Sequence, residues 1–562
     1  MTNFDRRRFL QGGAVLAGGL AFGGGLLPAW ARSAAPTLPT LSGEEIALTI
    51  DHAKVRIDGK PGHAVAINGT VPGPLIRLKE GQNVRIKVTN KLDEDTSIHW
   101  HGLILPFQMD GVPGVSFPGI KPGETFVYEF PVVQSGTYWY HSHSGLQEQE
   151  GHYGAIIIDP KGEEPAPYDR EHMVVLSDYS FLHPHTVMRK LKAQAGYFNK
   201  QKQTVGGLVA GKDQTFKERV EWSAMRMDPT DVLDVTGSTY TYLINGHGPK
   251  DNWTALFQPG ERVRFRFVNA GAMTIFNVRF PGLKMSVVQA DGLHVQPVTV
   301  EEFQISPAET YDVILEPKED RAYALVAEAA DRSGMGVATF APRAGMKAEA
   351  PPLRERPLLT MRDMGMDMTG MEGMDHDMAM RDPVNAPGVK LTPGVQMISP
   401  MAVDRVGDAP QGLDKVDHRV LRYTDLVALE PNPDVRAPSR EMEIHLTGNM
   451  ERFMWAFDGE AFSPIKKPIP FRLNERVRIH LVNDSMMAHP IHLHGHFFEV
   501  LNGHPGRYPR KHTVNVPPGG KISFDFTADA PGDWAFHCHL LFHMHAGMFN
   551  VVTVRPIDGG AQ

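Results

Sequence analysis

A single cysteine, Cys538, occurs in 562 residues. A disulfide needs two thiols, so the chain holds no internal bridge, and the lone thiol is either an inert buried group or a chemical one. Basic charge is not in excess: the net charge is −8 with histidines neutral, which leaves no electrostatic footprint for nucleic acid. Uninterrupted apolar runs of the ~20 residues needed for a membrane span are missing too. Apolar residues at 41% and charged residues at 22% are ordinary for a soluble globular protein and exclude wholesale disorder. At roughly 100–200 residues per domain the length suggests several domains. What the chain has in quantity is 26 His and 27 Met. Borderline nitrogen and soft sulfur donors in such numbers point to a transition metal.

The N-terminus reads as an address. Arg6-Arg7-Arg8-Phe9-Leu10 is followed by a glycine-diluted apolar run, Gly12 to Leu27, and then by Ala29-Trp30-Ala31. A charged start, an apolar middle and an A-x-A site make a secretory signal over 1–31, and the paired arginines are similar to a twin-arginine signal. This predicts use of the twin-arginine export machinery, a periplasmic location and no stable membrane insertion.

One unit occurs three times. Gly81-Gln-Asn-Val-Arg-Ile-Lys-Val-Thr-Asn90 returns as Gly260-Glu-Arg-Val-Arg-Phe-Arg-Phe-Val-Asn269 and as Asn474-Glu-Arg-Val-Arg-Ile-His-Leu-Val-Asn483. Asn68-Gly69, Asn245-Gly246 and Asp458-Gly459, all turn formers, precede the copies. The period-two alternation predicts a half-buried strand in each copy and an all-β sandwich of short strands around it. The expected units are 42–160, 168–341 and 416–557, with 342–415 as a Met-rich linker or insertion. Eight methionines fall between its residues 361 and 380: Met361, Met364, Met366, Met368, Met371, Met374, Met378 and Met380. They follow no amphipathic order, and thioether sulfur suits Cu(I), so the tract is a candidate copper collector; a plain low-complexity tether is the alternative.

The first and third units carry four histidine clusters: His99-Trp-His101, His141-Ser-His143, His489-Pro-Ile-His492-Leu-His494-Gly-His496, and His537-Cys538-His539-Leu-Leu-Phe-His543-Met-His545-Ala-Gly-Met548. Side chains at i and i+2 of a strand share a face, so each His-x-His could clamp one metal or bridge two. In His537-Cys538-His539 the thiol points opposite to both imidazoles, and one strand would touch two metal sites. Two His, one Cys and a weak axial Met form a blue-copper set, which His489, Cys538, His543 and Met548 supply. Eight imidazoles remain: His99, His101, His141, His143, His492, His494, His537 and His539. They suffice for three more coppers in sets of two, three and three. His496 and His545 are left over as supporting or solvent-facing groups. The middle unit has no His-x-His in Phe276–Phe280 or Tyr323–Ala329. Units one and three must then pack together, with unit two as a ligand-free spacer.

These residues resemble the multicopper oxidase family, and within it the periplasmic copper-resistance protein A type. The stretches that carry the likeness are His99-Trp-His-Gly-Leu-Ile-Leu-Pro, Met109-Asp-Gly-Val-Pro-Gly, Gly136-Thr-Tyr-Trp-Tyr-His-Ser-His-Ser-Gly-Leu-Gln, Arg510-Lys-His-Thr-Val-Asn-Val and His537-Cys-His-Leu-Leu-Phe-His-Met. The resemblance implies three cupredoxin-like Greek-key sandwiches and four coppers per chain. Type 1 copper would be held by His489, Cys538, His543 and axial Met548, type 2 by His99 and His492, and the type 3 pair by His101, His141, His143, His494, His537 and His539. Asp110 would be a proton donor beside that cluster; its competing role is to form the turn before Gly111.

The implied reaction is one-electron oxidation of a reductant coupled to four-electron reduction of O2 to water. The Met-rich tract points to Cu(I) as reductant in copper resistance, with phenolic small molecules as further substrates. A non-catalytic periplasmic copper sink would use the tract equally well but leaves the doubled His-x-His motifs unexplained. A two-site copper nitrite reductase needs fewer histidines and two domains.

Overall fold

The computed structural model describes residues 38–366, 380–464 and 466–556. The signal-like segment 1–31 lies outside the described residues, as do Met368, Met371, Met374 and Met378. The fold is all-β: three cupredoxin-like sandwiches, whose sheets take their strands from Thr40–Asp159, Arg170–Ala341 and Val403–Arg555. The three repeat copies form the strands Asn83–Asn90, Val263–Asn269 and Arg476–Asn483. Each pairs parallel with one long strand (Glu45–Ile57, Arg170–Ser180 and Arg440–Asn449 in turn) and antiparallel with another (Thr125–Pro131, Thr310–Leu315 and Gly520–Thr527). A five-stranded sheet completes each sandwich.

The repeat owes its side chains to this pairing. Its final asparagine is buried each time and donates from Nδ2 to two carbonyls across the sandwich edge: Asn90 to Glu94 and Ile120, Asn269 to Thr274 and Ile305, Asn483 to Met487 and Val516. The upstream turns are also one device. Both residues have positive φ in Asn68-Gly69 (50° and 78°), Asn245-Gly246 (53° and 79°) and Asp458-Gly459 (54° and 78°). That is the hairpin turn that asparagine, aspartate and glycine favour. The side-chain oxygen of each first residue accepts the N–H of the neighbouring long strand, from Thr49, Val175 and His445.

The expectation of a half-buried strand holds for Asn83–Asn90, whose outward positions are exposed or half-buried, but not for Val263–Asn269, which is buried at every position. Its outward face meets the first unit. Arg266 donates to Glu171 Oε2 (2.7 Å) and across the boundary to Thr137 Oγ1 (2.9 Å), while Arg264 and Arg266 share Asp312. Arg77 of the first unit reaches Glu171 from the other side. Ion pairs therefore join the first unit to the middle one. The middle and third units share one continuous apolar core that runs from Phe267 and Leu325 to Leu481, Ile491 and Cys538.

Residues 342–415 pack onto the sandwiches at several of their described positions. Leu359, Val395, Met397, Ile398 and Leu413 are buried, and Arg354 pairs with buried Glu302 and Glu328. This corrects the expectation for Met364. It is fully buried in the shared core as a packing side chain, because the turn Met361–Met364 tucks under that core. Met361, Met366 and Met380 are half-buried against the same core. The middle unit also carries the helices Pro184–Ala193, Val205–Val209 and Phe216–Ala224, which the strand pattern did not announce.

Candidate metal centre

Two neighbouring strands build the centre. His489–Leu493 pairs antiparallel with Gly532–Cys538, with Ile491 opposite Cys538 and His492 opposite His537. Opposite residues in such a pair share a face. His489, Ile491 and Cys538 therefore point one way, and His492 and His537 the other. In the first unit His99–His101 pairs with Gly136–His141, with His99 opposite His141. The first and third units meet face to face at these histidines, so His143 Nε2 lies 3.3 Å from His537 Nε2.

The eight imidazoles sort into three sets by proximity of their ring nitrogens. His101, His141 and His539 form one triad, and His143, His494 and His537 a second. His99 and His492 remain as a pair, with His101 beside them. Every His-x-His is divided between sets. Of the two arrangements open to same-face imidazoles at i and i+2, clamping one metal or bridging two, the donor sets show the second.

The donor chemistry fits metal ions. His99 Nδ1 donates to Asp110 O (2.8 Å) and His492 Nδ1 to His512 O (2.6 Å), which leaves each Nε2 buried and without a partner. His494 Nδ1 donates to Asp110 Oδ2 (2.9 Å) and His537 Nδ1 to Cys538 O (3.0 Å), yet their Nε2 atoms face each other at 3.0 Å. Both atoms are then acceptors, and a cation between them is what that approach requires. Burial, followed by the neighbouring imidazoles, holds His101, His141, His143, His492, His494 and His539 well below the usual histidine range. Burial lowers His537 to about 4. These rings stay neutral and keep their lone pairs. Both nitrogens of His539 lack partners.

Cys538 is wholly buried on the opposite face, 3.5 Å from His489 Nδ1, and His543 Nδ1 is 3.2 Å from that same atom. His489 Nε2 is tied to Ser485 Oγ and His543 Nε2 to Asp234 Oδ2, both at 2.7 Å, which turns both Nδ1 lone pairs toward the sulfur. The one-and-a-half-turn helix Leu541–Ala546 returns His543 to this point. Gly547 ends it at φ 128°, where a Cβ would sit 2.7 Å from Trp455 O. Met548 is fully buried next, its carbonyl accepting the Cys538 N–H. Burial pushes the Cys538 thiol far up, so a thiolate there needs a cation. A two-nitrogen, one-sulfur set beside a methionine suits copper.

Several groups that hold these rings were not singled out from sequence. Asp234 comes from the middle unit, which is therefore more than a spacer. Glu148 accepts His141 Nδ1–H at 2.8 Å, and burial raises its carboxyl well above the usual range. Trp455 stacks on His543 and Trp139 on His141. His512, within the stretch Arg510–Val516, accepts the Nδ1–H of His492 at its carbonyl. Asp110 accepts hydrogen bonds from His494 and, through its carbonyl, from His99. His496 is buried and bonded to the backbone of His494 and Ala530, whereas His545 is exposed.

Three multicopper oxidase family profiles match residues 49–163, 211–344 and 436–558. Copper resistance protein A of Escherichia coli is 47% identical over 98% of this chain and 99% of its own length. A copper resistance protein A homolog of Pseudomonas syringae pv. tomato is 48% identical over 99% of this chain and 100% of its own. Among solved structures, Fet3p, a multicopper oxidase that functions in iron import, superposes with a TM-score of 0.65 at 21% identity, covering 92% of this chain and 90% of that one. A laccase from Botrytis aclada gives 0.65 at 21% identity, over 92% and 88%.

Proposed function

The chain belongs to the multicopper oxidase family, and on that premise we propose that it is a periplasmic cuprous oxidase of copper resistance. It is an oxidoreductase with O2 as acceptor and four coppers as cofactor. We assign His489, Cys538, His543 and Met548 as the residues that would hold type 1 copper, and His99 and His492 as those that would hold type 2. The triads His101–His141–His539 and His143–His494–His537 take the type 3 pair. The single observation that carries this reading is the register that sets the Cys538 face and the His537 face of one strand back to back.

Bound copper supplies one-electron oxidation of the reductant and four-electron reduction of O2 to two waters. The protein's own groups do the rest. Cys538 joins the two donor sets through the backbone to His537 and His539. Asp234, Ser485, Glu148 and the carbonyls of Asp110 and His512 fix which nitrogen faces inward in His543, His489, His141, His99 and His492. Asp110, bonded to His494, is assigned to hold and pass protons at its carboxyl.

The type 1 histidines are wholly buried, and His543 Nε2 is covered by Asp234. No reductant therefore reaches either ring directly, and the electron is delivered from outside this cover. Cu(I) can deliver it, and four Cu(I), one O2 and four protons balance against four Cu(II) and two waters. The relatives named for copper resistance support the same role. The twin-arginine-like residues 1–31 support export to the periplasm.

Oxygen uptake by the copper-loaded chain, with Cu(I) and with a phenol, tests this reading. Cys538→Ser should abolish both activities together with the blue colour. Because Met364 is a core residue, the collecting role is tested by replacing Met368, Met371, Met374 and Met378 with Ser. Cu(I) oxidation should fall more than phenol oxidation. Equal loss of both would remove the copper-specific role, and copper binding without oxygen uptake would favour the sink.

A further inference from the structure

The middle unit reaches the eight-imidazole chamber through a buried charge cluster. Lys511 belongs to the third unit and is fully buried. Its Nζ lies 3.0 Å from Asp291 Oδ1 and 3.1 Å from Glu309 Oε1, and both carboxyls belong to the middle unit. Asp291 Oδ2 accepts the N–H of His512 (3.2 Å) and of Thr513 (3.1 Å). Glu309 is held in turn by the Ser306 N–H and the Tyr423 hydroxyl. Three consecutive residues, 511 to 513, are thereby fixed to the middle unit.

Those residues touch the chamber directly. The His512 carbonyl accepts His492 Nδ1–H at 2.6 Å, and Thr513 Oγ1 is 3.3 Å from the same nitrogen. His512 Nδ1 lies 3.2 Å, and Thr513 Oγ1 3.4 Å, from His101 Nε2. The His512 ring packs on the backbone of Gly102, where φ is 80° and a Cβ would sit 2.6 Å from the ring. It has no room to shift. An ion cluster with no access to water is seldom kept for stability, since well-packed apolar groups serve as well or better; what it fixes is register. The partner of a metal-binding histidine's second nitrogen sets both ring orientation and metal affinity.

We propose that Asp291, Lys511 and Glu309 are positioning residues through which the ligand-free middle unit sets His492 and, with it, the two-histidine copper site. The inference rests on the assignment of type 2 copper to His99 and His492. The full chain is loaded with copper as wild type, Lys511→Met, Lys511→Arg, Asp291→Asn, Glu309→Gln and His492→Ala. Type 2 and type 1 signals are read by electron paramagnetic resonance and blue absorbance, and copper retention by dialysis against graded chelator. K511M and D291N should release type 2 copper at 10- to 100-fold lower chelator strength and change its hyperfine splitting, with type 1 absorbance per folded chain unchanged. K511R should restore most of the retention, and E309Q should show a smaller shift of the same sign, which decides the matter if the first two variants do not fold. Wild-type retention and splitting in every folded variant would overturn the proposal, as would equal loss of type 1 and type 2 copper. Survival of the type 2 signal in H492A would instead overturn the ligand assignment.

Discussion

Asp234 offers a direct measure of what the middle unit does for the Cys538 site. Its Oδ2 accepts His543 Nε2–H at 2.7 Å with both side chains buried. Burial alone pushes its carboxyl to about 8 in the metal-free protein. At neutral pH it therefore keeps its proton until a cation arrives at His543, as the Cys538 thiol does. Asp234→Asn keeps the shape and an acceptor oxygen but removes the charge. A hydrogen bond to an ionised group contributes about 1.5–3 kcal/mol, against about 1 kcal/mol for a neutral one. The difference of about 1 kcal/mol favours the more highly charged Cu(II). At 59 mV and about 1.4 kcal/mol per tenfold for one electron, its loss should raise the type 1 potential by about 40 mV. A spectroelectrochemical titration of the blue band reads this. Loading should also release about one proton fewer in D234N, measured with an indicator at pH 7. An unchanged or lowered potential in a folded, blue D234N would refute the argument, because the bond would then carry no charge that copper senses.

Two further outcomes follow from groups near the centre. Gly111 sits at φ 81°, and a Cβ there would lie 1.8 Å from Ile98 O. Gly111→Ala should cost on the order of 3 kcal/mol in the metal-free protein, read by thermal melting, and should disturb Asp110 with it. Asp231 is raised to about 8, first by burial and then by the charges of Asp234 and Asp228. A carboxyl whose folded value lies above its unfolded value stabilises below the unfolded value, near 3.8, and loses that contribution as pH rises through about 8. Asp231→Asn should therefore flatten the decline in metal-free melting temperature between pH 4 and 8; an undiminished decline would place its cause elsewhere.

The repeat and the donor side chains that the fold gathers were legible because they rest on local rules. Asn-Gly and Asp-Gly turns, period-two strands and the terminal asparagine need no knowledge of the partner strand. The opposite faces of Cys538 and its flanking histidines follow from strand geometry alone. The division of the type 3 histidines was not legible, since it depends on the register of His99–His101 against Gly136–His141 and on how two units meet. The i, i+2 spacing put both imidazoles of each His-x-His on one face but left open whether they clamp one metal or bridge two. Asp234 and Asp291 left no signal because each lies far along the chain from the ring or strand it holds; Glu148 is close to His141 in sequence but sits in the turn Gln147–Glu150 rather than on the strand of its partner. The helix at Phe216–Ala224 did leave one: Thr215 and Glu218 form a capping box, masked by the strong strand pattern around it. Met364 misled because its sulfur-rich neighbourhood suggested ligand chemistry where the local chain supplies core packing.

The supporting carboxylates explain why a unit without copper ligands belongs in the middle. Neutral imidazoles line the boundary between the first and third units, with His143 3.3 Å from His537 across it and the facing Nε2 lone pairs of His494 and His537 3.0 Å apart on the third unit's side. These rings contribute no ion pair or apolar core to that boundary without metal. The middle unit holds both neighbours by other means: Arg266 to Thr137 and Arg77 to Glu171 on the first, a continuous apolar core and the Asp291–Lys511 pair on the third. None of these contacts uses a histidine ligand. The chamber's walls are thus set by contacts that remain when the metal is removed, so copper enters a formed site rather than folding one around itself, in contrast to small metal-dependent domains that are unfolded without their ion.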